Sequence, residues 1–237
     1  MKVLGICGTH KRQDQESSSE WLLKEALKAA EEKEAETKSI RLINYRITPC
    51  LACNKCRIGE KCPLLEDPND DVKKIFDMID EADALIFSSP TYAYQQPAVT
   101  LSLFHRVIPL HEIERSKEWG LDIRAYKCNP FHGKPVGNMA VGAGLGMEGA
   151  LYYLFHVLKA LGATSVVCAG ISLLEAETRN LFAAAPMDPA IKKLLEMPGT
   201  KLEENECAIE LARAVGKRVV DVYHSEVFQS LKDVLKY

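Results

Sequence analysis

The sequence predicts a doubly wound α/β domain: five parallel strands in the order 2-1-3-4-5, with helices covering both faces. Three observations lead there. Short apolar runs of strand length alternate with longer stretches of helical period. The runs are apolar at most positions, as strands buried on both faces must be. The first, third and fourth run out into Gly, Ser or Pro, the residues that turn a chain.

The first strand spans residues 2–7 and stops at Gly8. From Ser19 the period changes: Trp21, Leu22, Ala26, Leu27 and Ala30 recur at helical spacing, with Lys24, Glu25 and Lys28 facing water. A second strand is expected over 37–43. Residues 70–79 read as a helix whose stripe is Val72, Ile75, Phe76 and Ile79. The third strand, 84–87, ends at Ser88-Ser89-Pro90, and the fourth, 134–141, ends in a glycine-rich turn that opens a helix over 149–161. A fifth strand over 165–170 precedes a long closing helix, 203–223, whose Ile209, Ala212, Val215, Val219 and Val222 would pack on the sheet. Segments 111–133 and 172–201 are longer than usual connections and read as insertions in a single domain of residues 1–237. Trp119, Tyr126 and Phe131 of the first insertion either cover a ligand, join subunits or simply pack under its long loop, the last being the expectation.

Composition narrows the function. With 30 Lys+Arg against 33 Asp+Glu in 237 residues, the formal charge is −3, without the basic surplus of a dedicated nucleic-acid binder. A hydrophobic share of 47% excludes wholesale disorder. No apolar run reaches the roughly 18 residues that span a bilayer. The start of the chain lacks the layout of a secretory signal. The expectation is a cytoplasmic protein with neither nucleic acid nor membrane as partner.

Eight cysteines are many for such a chain, and four of them share one loop, residues 48–64, after the second strand. Cys50, Cys53, Cys56 and Cys62 form C-x2-C-x2-C-x5-C-P. Thiols clustered this way inside a reducing cell read as ligands. A [4Fe–4S] cube needs four thiolates, and the run supplies that number; Lys55, Arg57 and Lys61 would offset its charge. Zinc remains an alternative, although its four-cysteine sites usually split into two separated pairs. Metal-free redox thiols are another. Cys7 and Cys168 lie on apolar strands and read as small core residues, while Cys128 and Cys207 have no evident partner.

Three loops would meet at the carboxyl ends of the strands, where open α/β sheets bind ligands. Residues 8–19 bring hydroxyls, backbone N–H groups and a helix start, a phosphate-binding set that lacks the ATP and GTP signature. Residues 89–97 place Tyr92 and Tyr94 between Pro90 and Pro97, a stiff aromatic loop suited to a flat ring. Gly144, Gly146 and Gly149 match G-x-G-x-x-G, but no acid follows at the end of the next strand to hold a dinucleotide ribose. That loop reads instead as backbone approaching a ligand closely.

Taken together, the strand ending in Gly8-Thr9, the cysteine run, Ser89-Pro90-Thr91-Tyr92 and Gly142-x-Gly144 resemble the NADPH-dependent FMN reductase superfamily. Within it they are similar to the iron–sulfur flavoproteins of anaerobic archaea and bacteria. The resemblance covers most of residues 1–170 and the closing helix. It implies a flavodoxin-like three-layer subunit with FMN at the strand ends. Thr9, Lys11, Ser17, Ser18 and Ser19 would hold the phosphate. Pro90, Thr91, Tyr92, Ala93 and Tyr94, with Gly142, Ala143, Gly144 and Gly146, would flank the ring. A [4Fe–4S] cluster on Cys50, Cys53, Cys56 and Cys62 would exchange single electrons with the flavin, with NAD(P)H as a cosubstrate. The resemblance also implies a homodimer or homotetramer, with one subunit's cluster near another's flavin, and a ferredoxin-type carrier as partner. The alternatives are a cluster-free NAD(P)H-dependent reductase of FMN or quinones, and a zinc-stabilised binding module. No side chain is assigned as a catalytic acid or base. The sequence departs from the family pattern at His10-Lys11-Arg12-Gln13-Asp14 and in the stretch from Cys62 to Asp71.

Overall fold

The computed structural model describes residues 1–12, 14–15, 17–110, 112–115, 122–125, 129–142, 146–173, 189 and 202–234. Its strands are β1 (Lys2–Cys7), β2 (Glu36–Arg41), β3 (Ala84–Pro90), β4 (Glu112–Arg115), β5 (Asp122–Ala125), β6 (Pro135–Gly142) and β7 (Thr164–Ser172). Its α-helices are α1 (Ser18–Glu31), α2 (Val72–Glu81), α3 (Ala98–His105), α4 (Met147–Ala160), α5 (Glu206–His224) and α6 (Glu226–Val234).

Five strands form one parallel sheet in the order β2-β1-β3-β6-β7. Counted within that sheet this is 2-1-3-4-5, as anticipated. β3 shows why two layers of helices are needed. All seven of its residues are buried. Ala84 and Ile86 point into the core made with α1 and α5, whereas Leu85 and Phe87 point into the core made with α2, α3 and α4. The stripe read on α2 is the buried face of that helix. α5 crosses α1 so closely that a Cβ on Gly216 would lie 1.9 Å from the Ala26 carbonyl oxygen. Among the described residues no helix is long and apolar enough to cross a membrane.

Several expectations are corrected. β2 stops at Arg41, and residues 42–44 turn in a 3-10 helix, because Leu42 leaves the sheet to enter the second core. α3 was not anticipated: eight residues, apolar nearly all round, show no helical stripe. It starts after Pro97, which cannot extend a strand. β4 and β5 pair as an antiparallel hairpin inside the first insertion. Phe131, later in that insertion, is a core residue set between Phe76 and Phe104. Trp119, Tyr126 and nearly all of the second insertion lie outside the described residues. Cys168 is exposed, not buried: β7 is an edge strand with incomplete helix cover, and only Ala169 and Ile171, on the side of α1 and α5, are buried. Cys7, on central β1, is buried.

Candidate functional site

The chain leaves β1 outward to β2 and comes back past β1 to β3, so the connections after β1 and β3 diverge and open a crevice at their carboxyl ends. β6 lies beside β3 and adds a third loop. Gly8 donates its N–H to the Ser88 carbonyl at 2.9 Å. A Cβ there would meet Thr100 Oγ1 at 2.5 Å and Ser89 Oγ at 2.6 Å, so only glycine lets β1 end this close to β3 and α3.

The loop after β1 is braced from within. Thr9 is 1% exposed, and its Oγ1 accepts the Lys11 N–H at 3.2 Å. Arg41, 7% exposed at the end of β2, donates to the carbonyls of Lys11 (3.1 Å) and Arg12 and pairs with Glu20 in the first turn of α1. Burial alone would raise the Glu20 carboxyl, but the Arg41 bond and charge, with Lys24 beyond, hold it below the usual carboxylate range. By occupying two carbonyl oxygens, Arg41 removes acceptors that would repel an anion.

Ser17 is the N-cap of α1 but makes no side-chain cap bond. Its Oγ lies 3.1 Å from Ser19 Oγ, which lies 3.7 Å from Cys7 Sγ. Three groups with three protons make two contacts, so one proton is left for an outside acceptor. Burial, above all, pushes the Cys7 thiol up, so the thiol keeps its own proton at neutral pH. Ser18 is half-buried at the helix start, and Ser88 Oγ pins that start to β3 by donating to the Ser19 carbonyl at 2.7 Å.

After β3 the chain makes a two-residue turn, closed by two backbone bonds of 3.0 Å between Tyr92 and Gln95. Its central residues, Ala93 (φ 46°) and Tyr94 (φ 64°), hold the left-handed conformation that such turns usually give to Asn-Gly. A side chain there costs about 1–2 kcal/mol per residue. Neighbours over-determine the shape. The His10 ring stacks on Tyr92 at 5.4 Å, and His10 Nε2 accepts the Val99 N–H at 3.3 Å. Buried Gln96 donates to the Ala150 carbonyl at 2.9 Å. Strain of this kind collects at ligand clamps. Tyr94 is 63% exposed and leaves its ring accessible.

Gly142 ends β6 beside Thr91, whose N–H donates to Val141 at 2.9 Å. Gly146 (φ 84°) and Gly149 are small because the tyrosine turn sits on them: a Cβ on Gly149 would be 2.3 Å from the Tyr94 carbonyl oxygen, and one on Gly146 would be 2.8 Å from Tyr94 Cα. The close approach read from the glycine motif is, at these two positions, one loop against another. Ala143 and Gly144 lie outside the described residues. Among the described residues the buried hydroxyls of Thr91 and Thr100 have no hydrogen-bond partner. Buried hydroxyls require one, so this crevice fits a ligand with polar edges and an anionic end, as FMN has.

Cys50, Cys53, Cys56 and Cys62 line one cavity of about 600 Å3, walled also by Phe104, Arg106 and Tyr153. The Cys56 thiol is pushed up by burial and then by the charges of Cys62, Cys50 and Cys53, which places all four within electrostatic reach. Cys50 Sγ accepts the Ala52 N–H at 3.4 Å, and Ala52 (φ 52°), Asn54 (φ 59°) and Gly59 (φ 84°) wind the loop tightly. Among the described residues no three His, Cys, Asp or Glu side chains are gathered as a metal site: the thiols share a cavity without sharing a centre. As a donor set, four soft sulfurs fit a [4Fe–4S] cube in number and kind. Lys55 and Lys61 pair with Glu60 (3.5 Å) and Glu66 (3.9 Å), which offsets part of the positive charge expected to face such a group.

Sequence reasoning missed three residues that shape this region: Arg41, Asp70 and Arg106. Each is charged yet buried. For Arg41 and Arg106 the visible signal was a charge inside or beside an apolar run, as in Leu103-Phe104-His105-Arg106-Val107, whereas Asp70 lies in the polar stretch Asp67-Pro68-Asn69-Asp70-Asp71.

A parallel five-stranded sheet in this order, with its loops gathered at the carboxyl edge, defines a flavodoxin-like α/β protein. Solved structures agree. An FMN-dependent NADH-azoreductase of Bacillus anthracis, in complex with FMN, superposes with a TM-score of 0.59 at 15% identity, covering 92% of this chain and 99% of that one. A likeness at this identity is one of fold. The family model for NADPH-dependent FMN reductase matches residues 1–176, and the chain belongs to that family. An iron-sulfur flavoprotein of Methanocaldococcus jannaschii is 37% identical over 110 residues, 46% of this chain. The chain matches about half (53%) of that relative's length. An iron-sulfur flavoprotein of Archaeoglobus fulgidus is 26% identical over 235 residues, 98% of this chain and 100% of that protein.

Proposed function

We propose that this protein is an FMN-dependent oxidoreductase that couples a flavin at the strand ends to a [4Fe–4S] cluster in the cysteine loop. The observation that carries the flavin half is the pair of buried hydroxyls, Thr91 and Thr100, left without partners where the three loops meet. Membership of the FMN reductase family supports it. The cluster half is supported by four thiols lining one cavity and by the names of relatives similar in sequence.

When bound, FMN exchanges electrons singly or in pairs and a cluster exchanges them singly. The chain's residues do the rest. Thr9, Lys11 and Ser17 to Ser19 hold the phosphate on a loop that Arg41 keeps in shape. Pro90 to Tyr94 flank the ring, together with the loop from Gly142 to Gly146. Their strained turn is preset before the ligand arrives, which lowers the ordering cost of binding. NAD(P)H serves as cosubstrate and a ferredoxin-type protein as one-electron partner. Exposed Leu51 and Ile58 on the cysteine loop, and Tyr152 and Phe155 on α4, supply apolar surface for a homo-oligomer.

The test is an absorption spectrum of anaerobically purified protein. Flavin bands with a broad shoulder that bleaches on reduction are expected. A colourless preparation that takes up neither FMN nor iron rejects the proposal. The alternative is a cluster-free NAD(P)H-dependent reductase, in keeping with the family model that matches residues 1–176. It predicts that Cys53→Ser leaves NADPH oxidation unchanged.

A further inference from the structure

The cysteine loop is closed at its neck by paired residues. Arg46 donates its N–H to Asp71 Oδ2 at 2.8 Å, and the Asp71 N–H returns to the Arg46 carbonyl at 2.9 Å. One step further in, Asp70 accepts the N–H of Thr48 at 3.0 Å and that of Val72 at 3.1 Å. Thr48 stands two residues before Cys50, and Asp70 stands eight after Cys62.

Arg106, at the end of α3, locks this neck. Its side chain is 1% exposed and faces that of Asp70, at 0%. Nη1 donates both to Asp70 Oδ2 at 2.9 Å and to the Thr48 carbonyl at 2.8 Å, so one nitrogen bridges the two strands of the neck. Nε and Nη2 are buried, and among the described residues they have no hydrogen-bond partner. Arg106 also lines the cavity that the four cysteines surround. A guanidinium committed by one nitrogen to the frame, with its other donors buried and unsatisfied in a wall of the cavity that the four cysteines also line, is built to hold something more.

We propose that Arg106 is the positioning residue of the cysteine loop: Nη1 fastens the loop's neck to Asp70, and Nε and Nη2 are reserved for acceptor atoms of the group the four thiols hold. The inference rests on the cluster reading only for its second half. The neck is a property of the chain with or without a metal. A donor to a sulfur-ligated cluster stabilises its more negative, reduced state and raises its potential.

The test uses the full chain with FMN bound. The double variant Asp70→Asn/Arg106→Gln leaves no buried charge behind, and Arg106→Lys keeps the charge but loses the fork. Flavin content and the thermal midpoint of each variant establish that the fold stands. In the metal-free protein, iodoacetamide labelling is followed at each cysteine by mass spectrometry, with exposed Cys168 as internal reference. Cys56 and Cys62, the two half-buried thiols, are expected to label about tenfold faster in the double variant, the equivalent of one lost charge-assisted hydrogen bond. After reconstitution with ferrous iron and sulfide, the double variant is expected to hold less iron per chain. What it holds should reduce at a more negative potential, with Arg106→Lys intermediate. Parent-like labelling, iron content and potential in both variants overturn the proposal. A parent protein that takes up no iron sinks the cluster reading and the donor role with it, while the labelling rates still decide the neck.

Discussion

Replacing Gly149 with alanine tests whether the tyrosine turn is held against α4 in the shape the flavin needs. The added Cβ would sit 2.3 Å from the Tyr94 carbonyl oxygen, about 1.1 Å short of ordinary contact, which begins near 3.4 Å. The obstacle is backbone, so no side chain can swing aside to relieve it. Overpacking of this size costs about 1–3 kcal/mol, and alanine's better helix propensity returns at most about 1 kcal/mol of it. The turn already holds two side chains at positive φ, so it is the element that yields. A displacement of this order moves Tyr92 and Tyr94 off the ring they are proposed to flank. A loss of about 1.4 kcal/mol in that contact weakens FMN about tenfold. Titrating apo-protein with FMN and following flavin fluorescence gives the Kd, with a thermal melt of the same sample alongside. A Gly149→Ala protein with the parent Kd and an unchanged or raised Tm would refute the contact between Tyr94 and the first turn of α4.

Three more expectations follow from named contacts. Gly216→Ala should lower the Tm, because its Cβ would lie 1.9 Å from the Ala26 carbonyl and would force α5 off α1; a raised Tm would leave only the helix-propensity gain of about 1 kcal/mol and dissolve the close crossing. Glu20 and Asp70 are both held below the usual carboxylate range, Asp70 because bonds from Arg106, Val72 and Thr48 outweigh its burial. Their contribution to stability is therefore complete above the unfolded-state value of about 4 and is lost as pH falls through the depressed folded values. Urea midpoints measured against pH should show a shallower acid limb for Asp70→Asn than for the parent, and parallel limbs would contradict it. Finally, Cys7 should resist alkylation at pH 7, where exposed Cys168 reacts freely, since burial both hides the Cys7 thiol and raises it. Equal labelling of the two by mass spectrometry would place Cys7 outside the core.

How much could be read before folding depends on the range of the signal. The stripe of α2 is local, since a helix repeats its face every 3.6 residues, and Val72, Ile75, Phe76 and Ile79 are its buried residues. α3 and Cys168 failed that reading for opposite reasons. α3 is apolar nearly all round and so shows no period, whereas Cys168 sits in an apolar strand that lies at the edge of the sheet. The glycine motif was visible as spacing, yet nothing in spacing told that Tyr94, some fifty residues earlier, would be the group pressed against Gly149.

The order of apolar and amphipathic segments settled the class of fold, and the cysteine spacing singled out one loop, because both are patterns between near neighbours in the chain. Packing alone decided that Arg41 reaches back to Lys11 and Arg12 and that Arg106 joins Thr48 to Asp70. Those partners lie tens of residues apart. A buried guanidinium takes whichever carboxylate and carbonyls the folded layers bring within hydrogen-bond distance, and only the assembled sheet and helices fix which ones those are.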